Sequence, residues 1–431
     1  VELEIIMLVV MMSTVGASVG MFSGLIPGIH VNTLASLMLV SYPSIAYVIS
    51  FFADPSLIPV LLAACIVSAS VVHSFMSYVP SVFIGVPDQD NVMSVLPGHR
   101  LLLEGRGMAA VRASSIGSLI GAMSAVAVAI PLQYLMFSGL GDYLYSITSV
   151  ILLMAVAALI LTEDGFENRC FALSLIVLSG IIGCVCMFMP VPFHGIVGGG
   201  DLLFPLLTGL FGVPVLISSK KNNDIPIQTD DEQYPVGISS GLKGVLTGSM
   251  VGWFPGITAT AGAAFTRMFV NEDKPERFIA LVASIGTAAV IFALITFSVN
   301  GKGRSGTMVV VKEIIGDSMS GFANGIFVLM LLSVVIASVI GYVASIRSGK
   351  MISERISKID IKKLNMTVLV MIVILTILLT GVWGIAVLLI SSVIGMIPLN
   401  AGIGRVHLSG CLLIPVVLMQ FGLDPVFLYL L

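Results

Sequence analysis

The sequence predicts an all-α polytopic membrane protein: two pseudo-symmetric repeats with broken helices and re-entrant hairpins, in roughly 10–13 membrane segments. Three observations carry this expectation. Apolar residues make up 57% of the chain and charged residues 10%, with a mean hydropathy of +1.10. A soluble domain would carry about a quarter of its residues charged. Apolar runs near the ~20 residues needed to cross a bilayer recur from end to end. Finally, a Pro-Gly pair interrupts such a run twice, in Gly24-Leu25-Ile26-Pro27-Gly28-Ile29 and in Gly252-Trp253-Phe254-Pro255-Gly256-Ile257.

Taken in order, apolar runs bounded by Gly, Pro or polar clusters predict helices over 3–22, 32–52, 57–78, 109–136, 143–162 and 170–189, then a shorter one over 201–217. The second series covers 237–251, 258–270, 277–298, 321–346, 366–396 (one helix or a broken pair) and 408–430. No basic stretch precedes Glu2-Leu3-Glu4, so residues 1–23 read as a retained first helix and not as a signal peptide. Between the series, Ser218 to Pro235 holds Lys220-Lys221, Asn222-Asn223-Asp224 and Asp230-Asp231-Glu232, and reads as a surface linker. The expected organisation is a first transmembrane repeat at 1–217, a polar linker at 218–236 and a second repeat at 237–431.

Five motifs recur in the same order on both sides of that linker. Gly-x-x-Pro-Gly-Ile at 24–29 returns at 252–257. Met93-Ser94-Val95-Leu96 parallels Met308-Val309-Val310-Val311, and Ser179-Gly180-Ile181-Ile182-Gly183 parallels Ser391-Ser392-Val393-Ile394-Gly395. Leu202-Leu203-Phe204-Pro205 matches Leu412-Leu413-Ile414-Pro415, and Phe211-Gly212-Val213-Pro214 matches Phe421-Gly422-Leu423-Asp424-Pro425. Inversion is the preferred arrangement, although a parallel pair fits the sequence too. Arg347, Lys350, Arg355, Lys358, Lys362 and Lys363 outweigh Glu354 and Asp360, so the loop 347–363 is expected to be cytoplasmic in a multi-pass protein of the cell membrane.

The Pro-Gly pairs are where chemistry is expected. Proline removes a backbone donor and glycine frees the dihedrals, so a helix breaks. Inside a bilayer such a break survives only if protein buries it or it lines a polar cavity. A helix restarting after the break offers free N–H groups and a positive dipole end, which suit a carboxylate or phosphate. The candidate substrate-binding residues are Gly24, Pro27, Gly28, His30, Asn32 and Thr33 in the first half, with Gly252, Pro255, Gly256, Thr258 and Thr260 in the second. A kinked helix without a ligand is the competing reading of either pair alone.

A second polar interruption follows in each half: Gly85-Val86-Pro87-Asp88-Gln89-Asp90-Asn91, and Asn300-Gly301-Lys302-Gly303-Arg304-Ser305-Gly306-Thr307. Either they are aqueous loops, or they are re-entrant tips that meet the Pro-Gly breaks. In the second case Asp88, Gln89, Asp90 and Asn91 are candidates for coupling Na⁺ or a proton. Lys302, Arg304, Ser305, Gly306 and Thr307 would then face an anionic substrate.

Other ionisable residues point elsewhere. His73, His194 and His407 read as hydrogen-bonded interfacial residues near helix ends, and Arg267 as a snorkelling side chain. Arg100, Arg106 and Arg112 suit lipid headgroups or topology. Cys65, Cys170, Cys184, Cys186 and Cys411 read as small apolar packing residues. No metal-ligand spacing, phosphate-cradling Gly-Lys-Ser loop, nucleophile elbow or carboxylate dyad is present, so an enzyme, a resident cofactor and direct use of ATP are not expected. The net charge of −3, without a basic aromatic tract, does not suggest nucleic acid.

At these motifs the chain resembles the permeases of the tripartite tricarboxylate transporter TctA type, particularly shorter, archaeal-like members. The resemblance rests on Gly24-x-x-Pro27-Gly28, Gly85-x-Pro87, Gly98-His99-Arg100, Gly105-Arg106-Gly107 and Ser118-x-x-Gly121. Leu207-Thr208-Gly209-Leu210-Phe211-Gly212 and Gly252-x-x-Pro255-Gly256 extend it over nearly the whole chain. It implies a permease for small carboxylates driven by an ion gradient. Such permeases work with a small membrane subunit and an extracytoplasmic binding protein; a homodimer in membrane lipid is compatible with the class.

Two functions follow. The first is a secondary transporter of a small organic anion, a di- or tricarboxylate, working by alternating access and coupled to Na⁺ or H⁺. The alternative is a translocase for a lipid-linked phosphate such as polyprenyl phosphate, with Arg100 and Arg106 at headgroup depth.

Overall fold

The computed structural model describes residues 2–26, 31–85, 91–161, 163–188, 202–218, 225–230, 238–254, 257–267, 269–270, 272–356 and 360–423. Helices account for all regular structure among them. The first half of the chain holds α1 (Glu2–Leu25), α2 (Val31–Val40), α3 (Tyr42–Ile49), α4 (Ile58–Met76), α5 (Tyr78–Phe83), α6 (Val92–Leu103), α7 (Gly107–Leu135), α8 (Gly141–Ser146), α9 (Thr148–Leu161), α10 (Phe166–Phe188), α11 (Leu203–Leu207) and α12 (Val213–Ser218). After the connecting segment come α13 (Ile238–Trp253), α14 (Ala259–Arg267), α15 (Pro275–Asn300), α16 (Gly306–Ile315), α17 (Gly325–Ile356), α18 (Ile361–Ala401) and α19 (Gly410–Gln420).

Among the described residues, 7 helical stretches are long and apolar enough to cross a membrane: Leu3–Leu25, Pro55–Phe83, Gly107–Leu144, Phe166–Phe188, Pro275–Asn300, Gly325–Ile356 and Asn365–Ala401. Three shorter apolar helical stretches accompany them. Protein encloses the stretches containing α4 and α15 most completely, at 72% and 83% of their apolar windows. These two helices therefore form the inside of the bundle. Gly381 (φ 64°) interrupts α18, so of the two readings of 366–396 the structure has the broken pair, two apolar helical pieces on either side of one glycine.

Glycine sets how closely the central helices approach. A Cβ on Gly16 would lie 2.0 Å from the carbonyl oxygen of Cys65. One on Gly20 would lie 2.4 Å from that of Ala69, and one on Gly24 2.5 Å from the Cβ of Met76. The order of these contacts makes α1 and α4 parallel neighbours. In α13, Gly244, Gly248 and Gly252 meet Leu281, Ala288 and Phe292 of α15 in the same way, at 2.5–2.7 Å. Gly117 and Gly121 seat α7 on Ala280 and Ser284 of α15, and the Ser115 and Ser345 hydroxyls join α7 to α17 at 2.7 Å. Gly349 of α17 faces Val111 of α7, so those two helices are antiparallel. Backbones this close gain dispersion along their length, the main source of helix association in lipid.

The helices of the outer pair exchange partners across the chain. Gly183 of α10 packs on the Cys411 carbonyl of α19, while Gly395 of α18 packs on the Leu210 carbonyl. The hydroxyl of Ser179 donates to the His407 carbonyl and that of Ser391 to the Pro205 carbonyl. Each half of the chain thus completes a helix pair of the other.

Local expectations need refinement in three places. Helices α6 and α16 follow the two polar interruptions, over residues to which the sequence assigned no helix. Both are too short to span and carry a mixed polar pattern, so no long apolar run announced them. The basic stretch 347–363 is not a loop at its start, because α17 continues to Ile356 with Gly349, Ser353 and Ile356 buried against the core. Within 218–236, the described residues 225–230 pack on the bundle. Ile225 is buried, Gln228 Oε1 accepts from Gly107 N at 2.8 Å, and Thr229 N donates to Gly105 O at 2.8 Å. The segment 225–230 is a strap over the α6–α7 turn.

Replacing Gly20 by Leu should push α1 off α4 and destabilise the protein by roughly 1–3 kcal/mol, the usual cost of overpacking. Thermal unfolding in detergent would show the lowered midpoint. The control is Gly325→Ala, where a Cβ meets nothing within 4 Å and the midpoint should stay put.

Candidate functional site

The first break begins where α1 leaves its glycine contacts. Gly24 sits against Met76, and the Ser23 hydroxyl lies 2.9 Å from His73 Nδ1. His73, expected at an interface, is instead buried in the last turn of α4. Its neighbour Ser74 meets the Thr287 hydroxyl at 3.1 Å, halfway along α15. Polar groups thus run from the end of α1 into the most enclosed helices. Pro27, Gly28 and His30 lie outside the described residues, as does the Thr33 side chain.

Past the break, α2 meets α16. Asn32 Oδ1 accepts from Thr307 N at 3.0 Å, and a Cβ on Gly306 would lie 2.7 Å from Asn32 Cγ. Only glycine admits the amide there. The approach to α16 is a tight fold-back. Helix α15 ends on Gly301 (φ 64°), Lys302 N donates to Asn300 Oδ1, and Gly303 lies over the Met308–Val309 backbone. Ser305 then caps α16, its hydroxyl accepting from Met308 N at 3.3 Å and lying 3.0 Å from the Thr307 hydroxyl. Lys302 is exposed at this tip and Arg304 is partly buried beside it.

The second break mirrors these features. Gly252 packs between Phe292 and Ala289 of α15, and the Thr296 hydroxyl donates to the Gly252 carbonyl at 3.2 Å. Pro255 and Gly256 lie outside the described residues. Thr258 caps α14 by accepting from Ala261 N at 3.1 Å, and both Thr258 and Thr260 are buried. Ile257 and Ala261 share an apolar cluster with Met93, in the first turn of α6. Asn91, just before α6, is buried and donates to the Ser77 carbonyl at 3.2 Å. Asp88, Gln89 and Asp90 lie outside the described residues.

Four helix N-termini therefore come together in two pairs, α2 with α16 and α14 with α6. Each pair takes one helix from each half of the chain. The first turn of a helix carries partial positive charge, and at these junctions side-chain oxygens accept from Thr307 N, Met308 N and Ala261 N. No group of three or more His, Cys, Asp or Glu residues suited to a metal occurs among the described residues.

Sequence reasoning passed over several groups that the fold brings inward. His73 and His407 are enclosed, not interfacial, while His194 lies outside the described residues. The arginines expected at headgroups have carboxylate partners: Arg100 pairs with Glu104, Arg106 with Glu276 and Arg112 with Asp230. The glycine ladders did have a signal, a four-residue period ending at each break with the same offset as the Pro-Gly pairs. The partners of His73 and His407 had none, because they are far away in sequence.

An all-helical, multi-pass membrane protein with paired half-helix N-termini fits the class of transporters. The chain matches the tripartite tricarboxylate transporter TctA family over residues 10–410 and belongs to it. It is also similar to an uncharacterized protein of Methanocaldococcus jannaschii, 27% identical over 355 residues that cover 81% of this chain and 82% of the relative. No solved structure matches.

Removing the cap of α16 by Ser305→Ala should destabilise the protein by about 1 kcal/mol, while Ser305→Asp should retain the capped helix. Thermal midpoints of the two variants provide the check; equal loss in both would show that the cap is not what Ser305 supplies.

Proposed function

We propose that the chain is a secondary transporter of a small organic anion, a di- or tricarboxylate, that works by alternating access and is coupled to H⁺ or Na⁺. The observation that carries this reading is the meeting of α2 with α16, through Asn32 Oδ1 and Thr307 N. It joins the helix after one Pro-Gly break to the tip of the opposite half. The α14–α6 junction repeats the arrangement with the halves exchanged. Two such junctions supply positive ends and neutral donors for the carboxylates of one substrate, with Lys302 and Arg304 adding charge. Asp88, Gln89, Asp90 and Asn91 stand as candidates for the coupling cation.

Inverted repeats at 1–217 and 237–431 account for the packing. Helices α1, α4 and α7 correspond to α13, α15 and α17 in order and in partners. Their representatives α7 and α17 run antiparallel, as inversion requires. Reciprocal packing suggests a shifted correspondence near the end of each repeat: Gly209-Leu210 meets Ser391 and Gly395 as Gly410-Cys411 meets Ser179 and Gly183. The end of the molecule where Lys350 approaches Asp230 also carries Arg106, Arg112 and Lys243, and we place it in the cytoplasm. A small membrane subunit and an extracytoplasmic binding protein are the partners this family membership suggests. The lipid-phosphate alternative loses support, since Arg100 and Arg106 are engaged by carboxylates.

Purified protein in proteoliposomes should take up labelled di- or tricarboxylates when an H⁺ or Na⁺ gradient is imposed. Replacing Pro27-Gly28 or Pro255-Gly256 by Ala-Leu should leave insertion intact and abolish uptake. Uptake at the normal rate in both variants would refute the role given to the breaks.

A further inference from the structure

Ionisable side chains enclosed in a membrane bundle are costly, so each calls for a reason. One cluster lies apart from the junctions described above, on the turn 402–409 before α19. Glu163, between α9 and α10, reaches across from the first half of the chain. Its Oε1 accepts from Gly404 N at 3.0 Å and lies 2.8 Å from His407 Nε2. A Cβ on Gly404 would stand 2.9 Å from that oxygen, so the carboxylate occupies the space of the missing side chain. The Glu163 side chain is 17% exposed, whereas that of His407 is fully enclosed. The carboxylate is the rim of this cluster and the imidazole its interior.

Three buried atoms of this turn have no partner among the described residues: Arg405 Nε, His407 Nδ1 and Ser409 Oγ. Unsatisfied buried polar atoms are rare and call for an explanation. Arg405 otherwise donates to the Phe211 carbonyl and lies over the Phe211 ring, 6.0 Å from its centre. The two nitrogens of an imidazole point away from each other. With Nε2 on Glu163, Nδ1 is directed away from the rim. The intervening residue, Val406, packs in the same cluster as Ile257, Ala261 and Met93, which form the α14–α6 junction.

We propose that Glu163 and His407 form the site that binds the coupling proton, a role resting on the reading of the chain as a gradient-driven anion transporter. Water at the rim delivers a proton by way of the carboxylate. The imidazole, its own hydrogen on Nδ1, takes that proton from the carboxyl O–H on Nε2, stays hydrogen-bonded to Glu163 and becomes imidazolium. Release reverses the transfer, so no other group changes oxidation or bonding. Before uptake, the charges of Arg405 and Glu163 offset each other. Afterwards two cations face one carboxylate, and an organic anion at the neighbouring junction restores the balance. Proton and anion therefore favour each other's binding, and by linkage the effect is reciprocal.

Few other ionisable side chains adjoin this pair among the described residues. Arg405 lies on the same turn. Asp164 and Arg169 flank Glu163, with Arg169 Nε donating to the Glu163 carbonyl at 3.0 Å. Helix α9 has no ionisable side chain, and α14 carries only Arg267, at its exposed end. Helix α10 contributes Glu167, Arg169, Cys170, Cys184 and Cys186, α19 contributes Cys411, and α18 carries Lys362 and Lys363 at its distant start.

The test compares wild type, His407→Gln and Glu163→Gln in proteoliposomes with a panel of labelled di- and tricarboxylates. A pH gradient of about one unit, acid outside, can drive roughly tenfold accumulation through one coupled proton. The wild type should show it, and both variants should lose it while exchanging the same anion across the membrane within about twofold of the wild-type rate, as expected when only the driving step is removed. Unchanged accumulation in His407→Gln would overturn the assignment. So would wild-type accumulation that follows Na⁺ and ignores pH. Loss of exchange together with accumulation would make the pair part of the anion site or the fold, again overturning it. If no carboxylate is exchanged even by wild type, the failure lies with the transporter reading itself.

Discussion

Glycine permits a backbone-to-backbone approach on which the rest of this structure depends. Along α1 and α13, three glycines spaced four residues apart leave carbonyl oxygens of α4 and α15 where side chains would stand. Because the glycines run up to the breaks, each helix is still pressed against its neighbour when its regular hydrogen bonding ends. In lipid that is the condition for a break to exist, since exposed amides have no water to turn to. The same approach carries Ser23 to His73 and lets the Thr296 hydroxyl reach the Gly252 carbonyl. Close packing and polar satisfaction are thus one property here.

The membrane class, the order of the long helices and the positions of both breaks were legible in the sequence. They depend on hydropathy and on Pro and Gly, which act locally. Less visible were α6 and α16, whose N-termini complete the junctions. Helices of this length with mixed polarity do not stand out from loops; α6 is held by packing on α5, α7 and α15 and α16 by packing on α2 and α4. Asn32 was readable as a polar residue in a first turn, but not its partner Thr307, which is set by tertiary packing alone. The strap at 225–230 was hidden for a similar reason. Its polarity suggests solvent, yet Gln228 spends that polarity on the backbone of Leu102 and Gly107.

Charge is distributed by the same economy. The numerous ions at the end of the bundle near Asp230 pair with one another, in Arg106 with Glu276 and Lys243 with Glu272. In both pairs the carboxylate is nearly enclosed and the cation is the more exposed partner. Inside, the polar groups among the described residues are mostly hydroxyls and amides, with the His73 imidazole and the ionisable Glu163–His407–Arg405 cluster beside them. That cluster stands where the two halves of the chain meet, which is where relative movement would alter its surroundings.

Cross-linking across the α2–α16 junction measures the central claim most directly, that opposite halves meet there and move during transport. With the five native cysteines replaced, Asn32→Cys and Gly306→Cys should form a disulfide under mild oxidation. The linked protein should stop exchanging anion, and a reductant should restore exchange. Absence of the cross-link, or exchange undiminished once it has formed, would contradict the account.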